Sequence, residues 1–237
     1  MLKVLRKRVY NFEMAIRGMR NPMESWDKSD SNCFIYDEFD ARELITVTLN
    51  NVKETDHVIE FQMGEEDMKL AKSLVKAGSD HRKFMRQIFV CMDITAPLYW
   101  FKEMDTYKVA TVANSTSTMH KLGSRPLTPA DFSWDKMTDY RNRTLNHLNI
   151  LIGQWKKAKE AKGNPSIAKE IWRELIQDLP TSDNQTRTWS GNYETLRGLY
   201  PNRSRHKLTE WEMEFCKEVE RLPYSELITM KANEEEE

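Results

Sequence analysis

The sequence predicts an α+β domain, with a few strands in the first part of the chain and long helices after them. Leu44–Leu49 alternates β-branched and apolar residues, as a strand with one buried face does. Ile88–Ile94 is a more apolar strand, whose composition predicts that both of its faces are buried. Pro97 should end that strand, because proline has no N–H to donate to a neighbour. We expect a small central sheet and a predominantly helical C-terminal half.

The long helices are predicted from apolar residues that recur every three or four positions. The stripe Leu145–Trp155 predicts a helix that ends near Gly163. The stripe Ile167–Leu179 predicts another, which Pro180 stops. An earlier helix is expected within Gly64–Gly78, because three acidic residues follow the first glycine and favour a helix N-terminus. An apolar stripe of Met68, Ala71 and Val75 forms one face of it.

Two further helices are predicted to begin at pairs that resemble capping boxes, in which a hydroxyl residue precedes an acid or amide by three positions. The first helix should run towards Leu199, and the second should end at Pro223. The pairs are Ser182 with Gln185 and Thr209 with Glu212. Gly123–Phe132 is expected to be a long internal loop.

The length and composition indicate a single domain over residues 1–237, with an N-terminal strand and loop region at 1–40 and a frayed acidic tail at 230–237. Lys and Arg number 36 and Asp and Glu number 37, which gives a net charge of −1. No overall positive field is therefore available to attract nucleic acid or an anionic membrane. We find no apolar run long enough for a signal peptide or a membrane span.

The three cysteines stand far apart, which predicts reduced thiols and a cytoplasmic protein. The sequence lacks the glycine-rich motifs of Rossmann and P-loop nucleotide sites and the motifs of serine hydrolases and zincins. Its five histidines are dispersed, with no two placed four apart on a predicted helix. We therefore expect no metal site.

A run of hydroxyl side chains is the first candidate site. Asn114–Thr118 offers four hydroxyl groups and one amide, which can wrap a phosphate together with backbone N–H groups. The alternative is a solvent-exposed loop that caps a helix, the commoner role of such a run. Just before it, Lys102–Lys108 has helical spacing, and the alternative there is a solvated helix face. Tyr99–Phe101 is costly to expose, so we expect this helix to lie in a core or cleft.

The densest basic cluster of the chain lies between residues 197 and 207. A planar guanidinium can give a phosphate or a carboxylate two parallel hydrogen bonds. Arg197, Arg203 and Arg205 are therefore candidates for binding an anionic ligand. The alternative is an ordinary charged surface.

Together these segments resemble the flavin-dependent thymidylate synthases, the ThyX family, over about residues 40–225. With His81 and Ala96-Pro97 in register, Lys102-Glu103 falls on the family's Arg-Gln pair and Thr106–Lys108 on its Arg-His-Arg. The next matches are Thr111 on a Ser, Ala113-Asn114 on Asn-Glu, Thr116 on a second Ser and Thr118-Met119 on Arg-Tyr. The later matches are Leu179-Pro180, Trp189 and Asn192 in a helix, a position near Arg203, and Trp211-Glu212.

The resemblance implies an α+β fold and a homotetramer whose sites use several subunits. It implies FAD as the cofactor, with NADPH and methylenetetrahydrofolate as co-substrates. The reaction implied is transfer of a one-carbon unit, as methyl or hydroxymethyl, to C5 of dUMP or a related pyrimidine nucleotide.

The resemblance also implies roles for individual residues. The flavin contacts would be His81, Lys102, Tyr107, Lys108, Asn114 and Asn192. Glu103 would orient the pyrimidine, and Thr116 and Ser117 would complete the catalytic set beside the nucleotide phosphate. The remaining substrate contacts would be Ser115, Thr118, Arg197, Arg203 and Arg205.

The sequence departs from the family pattern at its most charged positions. Of the Arg-His-Arg group only Lys108 keeps a positive charge, and a lysine binds a phosphate as a point charge rather than through a fork. Thr116 and Thr118 replace the Ser and Arg that hold the nucleotide, and a register slip of one residue would place Ser115 or Ser117 there. Two alternatives therefore stand: a nucleotide-binding homologue that does not catalyse, as a sensor or inhibitor, and a protein-interaction module with a tryptophan-rich surface.

Overall fold

The computed structural model describes residues 2–36, 43–161 and 165–231. The predicted helix end at Gly163 and the acidic residues 232–237 lie outside these ranges. Across the described ranges, no helix combines the length and the apolar character needed to cross a bilayer.

Seven strands form two antiparallel sheets in the described chain. The strands are β1 (Lys3–Tyr10), β2 (Asn32–Tyr36), β3 (Leu44–Thr48), β4 (Val58–Gln62), β5 (Phe89–Pro97), β6 (Val112–Ser115) and β7 (Asn184–Asn192). The central sheet has the order β1-β5-β7-β6, and the smaller sheet has the order β3-β2-β4. The predicted strand at Leu44 is β3, and Pro97 is the last residue of β5, as predicted.

Nine α-helices are formed by the described residues. They are α1 (Phe12–Met19), α2 (Glu65–Lys76), α3 (Leu98–Met104), α4 (Thr118–Lys121), α5 (Asp139–Glu160), α6 (Pro165–Asp178), α7 (Tyr193–Arg203), α8 (Cys216–Glu220) and α9 (Glu226–Thr229). A π-helical segment, Glu210–Phe215, leads directly into α8. The apolar stripes therefore predicted α2, α5 and α6 correctly.

The main core lies between one face of the central sheet and the helices. Val90, Met92 and Ile94 of β5 point into it and are at most 1% exposed. Trp100 of α3 is buried there against Trp211, with ring centroids 4.3 Å apart, as expected of a residue too costly to expose. A second, smaller cluster fills the hairpin of α5 and α6.

The predicted helix starting at Ser182 is wrong, because residues 184–192 are strand β7. The stretch alternates β-branched and polar residues before Trp189, and β5 supplies a complete partner for it. The ladder outweighs the local capping pattern, so Trp189 lies on a strand rather than in a helix. The helix begins after Asn192, whose side chain accepts a hydrogen bond from the N–H of Thr195 at 2.9 Å.

Three other predictions need correction. Only one face of β5 is buried, since Phe89 on the opposite face is 51% exposed. Helix α3 ends at Met104, so residues 105–108 form a turn and the helical spacing of Lys102–Lys108 is lost. Thr209 makes no side-chain cap, although the helix that was expected to follow it forms.

A buried ion pair joins α1 to α2. Arg20 Nε lies 2.6 Å from Asp67 Oδ1, and both side chains are at most 5% exposed. The other carboxylate oxygen of Asp67 accepts hydrogen bonds from the hydroxyls of Ser29 (2.6 Å) and Ser31 (2.5 Å). Because the carboxylate is fully satisfied, its burial is compatible with a stable fold.

Asp67→Ala should lower the free energy of unfolding by about 3–5 kcal/mol, since it leaves the buried Arg20 guanidinium without its counter-charge. Urea unfolding measures this change. The matched control is Glu66→Ala on the same helix, which breaks an exposed pair with Lys69 and should cost less than about 1 kcal/mol. Equal losses in the two variants would contradict the role given to Asp67.

Candidate functional site

The hydroxyl run opens onto a cleft of about 210 Å³. Residues 116–118 line it together with residues 121–125 and 183–185. The first segment follows β6, and the third segment contains the first two residues of β7, the neighbour of β6 in the sheet. The cleft is therefore built on the β6–β7 side of the central sheet.

The hydroxyl groups of residues 116–118 already accept hydrogen bonds from the protein. The donors are the N–H of Thr186 to Thr116 (3.2 Å), the N–H of His120 to Ser117 (3.3 Å) and the amide of Gln185 to Thr118 (3.2 Å). A hydroxyl has one proton and two lone pairs. Because one lone pair of each oxygen is used, the three O–H protons remain able to donate to a ligand oxygen.

The two hypotheses for the hydroxyl run, a phosphate site and a loop that caps a helix, are therefore compatible. Ser117 caps α4, as the helix-capping alternative predicted, while its proton can still serve a ligand. Asn114 and Ser115 lie on the exposed strand β6. The run is thus part strand, part cap and part cleft wall.

Charge in the cleft is nearly balanced. Arg125 and Asp131 form a fork-to-fork pair with contacts of 2.8 and 2.5 Å, and this guanidinium lowers the pKa of Asp131. Lys121 is exposed at the same cleft. The remaining charged residue in the lining is Asp183.

Asp183 is an acid held partly out of water. Burial raises its pKa from 3.8 to about 6, and the negative charge of Asp131 adds to the effect. Its backbone is fixed as well, since its carbonyl accepts the N–H of Leu98 at 3.0 Å. The cleft therefore contains a carboxyl group that can change protonation state near neutral pH.

A second cluster centres on Glu103, at the end of α3. Its Oε2 accepts hydrogen bonds from Arg203 (2.5 Å) and Trp211 (3.0 Å), and lies 3.2 Å from Nε2 of His206. The guanidinium of Arg203 also stacks over the Trp211 ring at 4.8 Å and donates to the hydroxyl of Tyr107. The network holds Glu103 by one oxygen, so the other is available to a ligand.

Next to this network lies a cleft of about 310 Å³. Tyr107 and Lys108 line it, together with Trp189 of β7 and two residues of the connecting segment before β6. Tyr107 is shared between this cleft and the Glu103 network. The predicted residues that line the two clefts thus lie in the segments that precede and follow β6.

Two solved structures of thymidylate synthase X (ThyX) from Helicobacter pylori with FAD and dUMP are similar to this chain. One has a TM-score of 0.62 at 14% identity and covers 97% of this chain and 98% of its own. The other has a TM-score of 0.63 at 13% identity and covers 96% and 98%. This chain has the ThyX fold. No family model and no curated protein matches the sequence.

Several residues that were predicted to bind a ligand make other contacts in this fold or lie away from both clefts. Arg197 is buried in α7, where its guanidinium donates to the carbonyls of residues 227, 228 and 230. Asn192 is buried as the cap of α7. Arg205 and His81 are exposed and line neither of the two clefts. Arg197 and Asn192 therefore have structural roles in the fold and are not assigned to ligand binding.

The residues around the second cleft fit part of a flavin. Tyr107 offers aromatic surface to a ring system, and the exposed Lys108 offers a cation to a phosphate, while Trp189 is buried beneath the cleft at 4% exposure. Lys102 is a further exposed cation on α3. Ligand pockets usually measure about 300–1,000 Å³, so a dinucleotide would extend beyond this cleft.

The sequence did not indicate most of the first cleft, including its four charged residues Lys121, Arg125, Asp131 and Asp183. Their positions depend on the pairing of β7, which was predicted to be a helix. The alternating residues 185–189 were the available signal for that strand.

Asp183→Asn should stabilise the protein near pH 8 but have little effect near pH 4. The folded pKa of about 6 exceeds the ordinary 3.8, so the folded state binds this proton more tightly than the unfolded chain. The contribution of this proton binding to the free energy of unfolding is fully present at low pH and is lost as the pH rises through 6. We expect a gain of about 1 kcal/mol at the higher pH after solvent screening, measured by urea unfolding.

The control for this measurement is Asp80→Asn, at an exposed position outside the cleft. As an exposed substitution, it should change the free energy of unfolding by less than about 0.5 kcal/mol at either pH. An identical effect of Asp183→Asn at both pH values would sink the assignment of a raised pKa.

Proposed function

We propose that this protein is a flavin-dependent enzyme of the ThyX type. It transfers a one-carbon unit from methylenetetrahydrofolate to C5 of dUMP or a related pyrimidine nucleotide, with FAD reduced by NADPH. The fold likeness over nearly the whole chain supports this proposal, because the similar structures contain FAD and dUMP. We expect the protein to act in the cytoplasm.

The hydroxyl cleft carries the proposal. Thr116, Ser117 and Thr118 each have an O–H group able to donate, and this fits the oxygens of a nucleotide phosphate. Lys121 supplies a positive charge at the cleft. Ser115 lies just before them on β6, within the same segment.

The flavin is proposed to lie on the other side of β6. FAD, when bound, supplies the redox chemistry that an unassisted side chain cannot perform. Tyr107 would pack against its rings, and the exposed Lys102 and Lys108 would hold its phosphates. Asn114, exposed on β6 between the two clefts, would donate an amide hydrogen bond, and His81 would contact the flavin from its exposed turn.

Glu103 is proposed to orient the pyrimidine with its available carboxylate oxygen. Arg203 binds the other oxygen, and this contact holds the Glu103 side chain in one orientation. Arg203 and the exposed Arg205 would approach the nucleotide of a neighbouring subunit. This arrangement needs the homotetramer that we propose.

The outer face of the central sheet supports an assembly of several subunits. Leu5, Tyr10, Phe89 and Val112 point to this face and are 51–65% exposed on the single chain. Exposed apolar groups on one face of a sheet are typical of an interface between subunits.

A second candidate is a nucleotide-binding homologue that does not catalyse, such as a sensor or inhibitor. The specific observation in its favour is the charge balance of the first cleft, where Arg125 is committed to Asp131 and Asp183 opposes a phosphate. Such a protein would bind the nucleotide without consuming NADPH.

The double substitution Thr116→Val and Thr118→Val should weaken dUMP binding at least tenfold, because hydrogen bonds to a charged group contribute about 1.5–3 kcal/mol each. Isothermal titration calorimetry measures the affinity. Thr144→Val on α5, whose hydroxyl bonds only the carbonyl of Tyr140 among the described contacts, is the matched control and should bind dUMP normally. Unchanged affinity in the double variant, with its fold intact by circular dichroism, would remove the phosphate role.

Purified protein should bind FAD with micromolar or better affinity and oxidise NADPH when dUMP and methylenetetrahydrofolate are present. Flavin fluorescence quenching and NADPH absorbance measure the two properties. A dUMP-induced rise in melting temperature without NADPH oxidation would select the non-catalytic candidate. Absence of FAD binding would reject the flavin enzyme.

A further inference from the structure

The hairpin of α5 and α6 brings together three side chains that sequence analysis left unconnected. His147 lies on α5, and Glu174 and Asp178 lie one turn apart on α6. A ring nitrogen of the histidine and one oxygen from each carboxylate all lie within 4.8 Å of one another. Nothing in the proposed flavin and nucleotide sites uses these residues.

We propose that His147, Glu174 and Asp178 form a binding site for a divalent metal ion of the zinc class. One imidazole nitrogen and two carboxylate oxygens are suitable ligands for Zn²⁺, Co²⁺ or Ni²⁺. Mg²⁺ and Ca²⁺ prefer all-oxygen sites, so the imidazole disfavours them. Three protein ligands leave at least one position of the metal to water.

The observed separations are close to those that a metal requires. Ligand atoms of a tetrahedral zinc site lie roughly 3.3 Å apart, given metal–ligand distances of about 2.0–2.1 Å. Nε2 of His147 is 2.7 Å from Oδ2 of Asp178, a pair that must open slightly, while the other two separations, which are at most 4.8 Å, must come to about the same value. All three residues are exposed, so side-chain rotation alone can make both adjustments.

The metal would cross-link two helices that support the hydroxyl cleft. Asn149 of α5 exchanges two hydrogen bonds with the backbone of Leu127, at 2.7 and 2.9 Å. Trp155 of α5 packs against the backbone at Gly123, where a side chain would clash at 2.9 Å. Both contacted residues line the cleft, so the ion would stabilise the hairpin that carries this wall.

Titration of the full-length, metal-free protein with Zn²⁺ tests the proposal by calorimetry. We expect one ion per chain with micromolar affinity. When Co²⁺ is used instead, we expect the visible absorption band of a Co²⁺ ion in a site of low symmetry. His147→Ala and Asp178→Asn should each weaken binding about tenfold or more. The same ion should raise the melting temperature of the wild-type protein and not that of His147→Ala.

Two matched controls separate this site from adventitious binding. Glu170→Ala removes an exposed carboxylate one turn earlier on α6, and His120→Ala removes an exposed histidine from α4. Both should bind Zn²⁺ like the wild type. Because His147 and Asp178 are exposed, their variants should melt normally without metal.

Failure to bind Zn²⁺ or Co²⁺ at millimolar concentration would overturn the proposal, as would binding that survives His147→Ala. The test needs neither FAD nor a nucleotide, so its outcome is independent of the proposed enzyme activity.

Discussion

The antiparallel pairing of β5 with β7 is the constraint on which both candidate clefts depend. Nine residue pairs, from Phe89 opposite Asn192 to Pro97 opposite Asn184, fix the register of the two strands. Strand β6 pairs only with β7 within the sheet, so the register of β7 also decides where the hydroxyl run lies. A shift of one residue would turn Trp189 out of the core and its outward-facing neighbours into it.

The same ladder determines how the chain leaves the sheet at each end. At one end, the carbonyls of Thr181 and Asp183 accept hydrogen bonds from the first N–H groups of α3. These bonds fix the start of α3 and so position Glu103 in its last turn. At the other end, Asn192 closes β7 and caps α7, which leads to Arg203. The contact between Glu103 and Arg203 therefore joins two helices that start from opposite ends of the same strand pair.

Features that depend on neighbouring residues in the sequence were predictable, and features that depend on distant pairing were not. The stripes of α2, α5 and α6 repeat within a few turns, so periodicity was enough to find them. The Ser182 pair had a plausible local cap, yet β5 provided a better partner from 90 residues away. The residues next to Asp183 and His147 in the sequence do not indicate a site. Their partners in the cleft and in the proposed metal site are distant in the sequence and are brought close by the sheet and by the α5–α6 hairpin.

Hydroxyl donors and a nearly neutral cleft would select ligands differently from an arginine cluster. A guanidinium attracts phosphate over several ångströms, whereas a hydroxyl contributes only at hydrogen-bond distance. Binding of a ligand by hydroxyl groups therefore depends on exclusion of water from the cleft. The strand next to this cleft, β6, is exposed and lies in an uncharged stretch, residues 109–119. Such an edge is a site for association unless it is covered. A neighbouring subunit that covered β6 would both protect the edge and remove water from the hydroxyl cleft, so assembly and ligand binding would be coupled through the same strand.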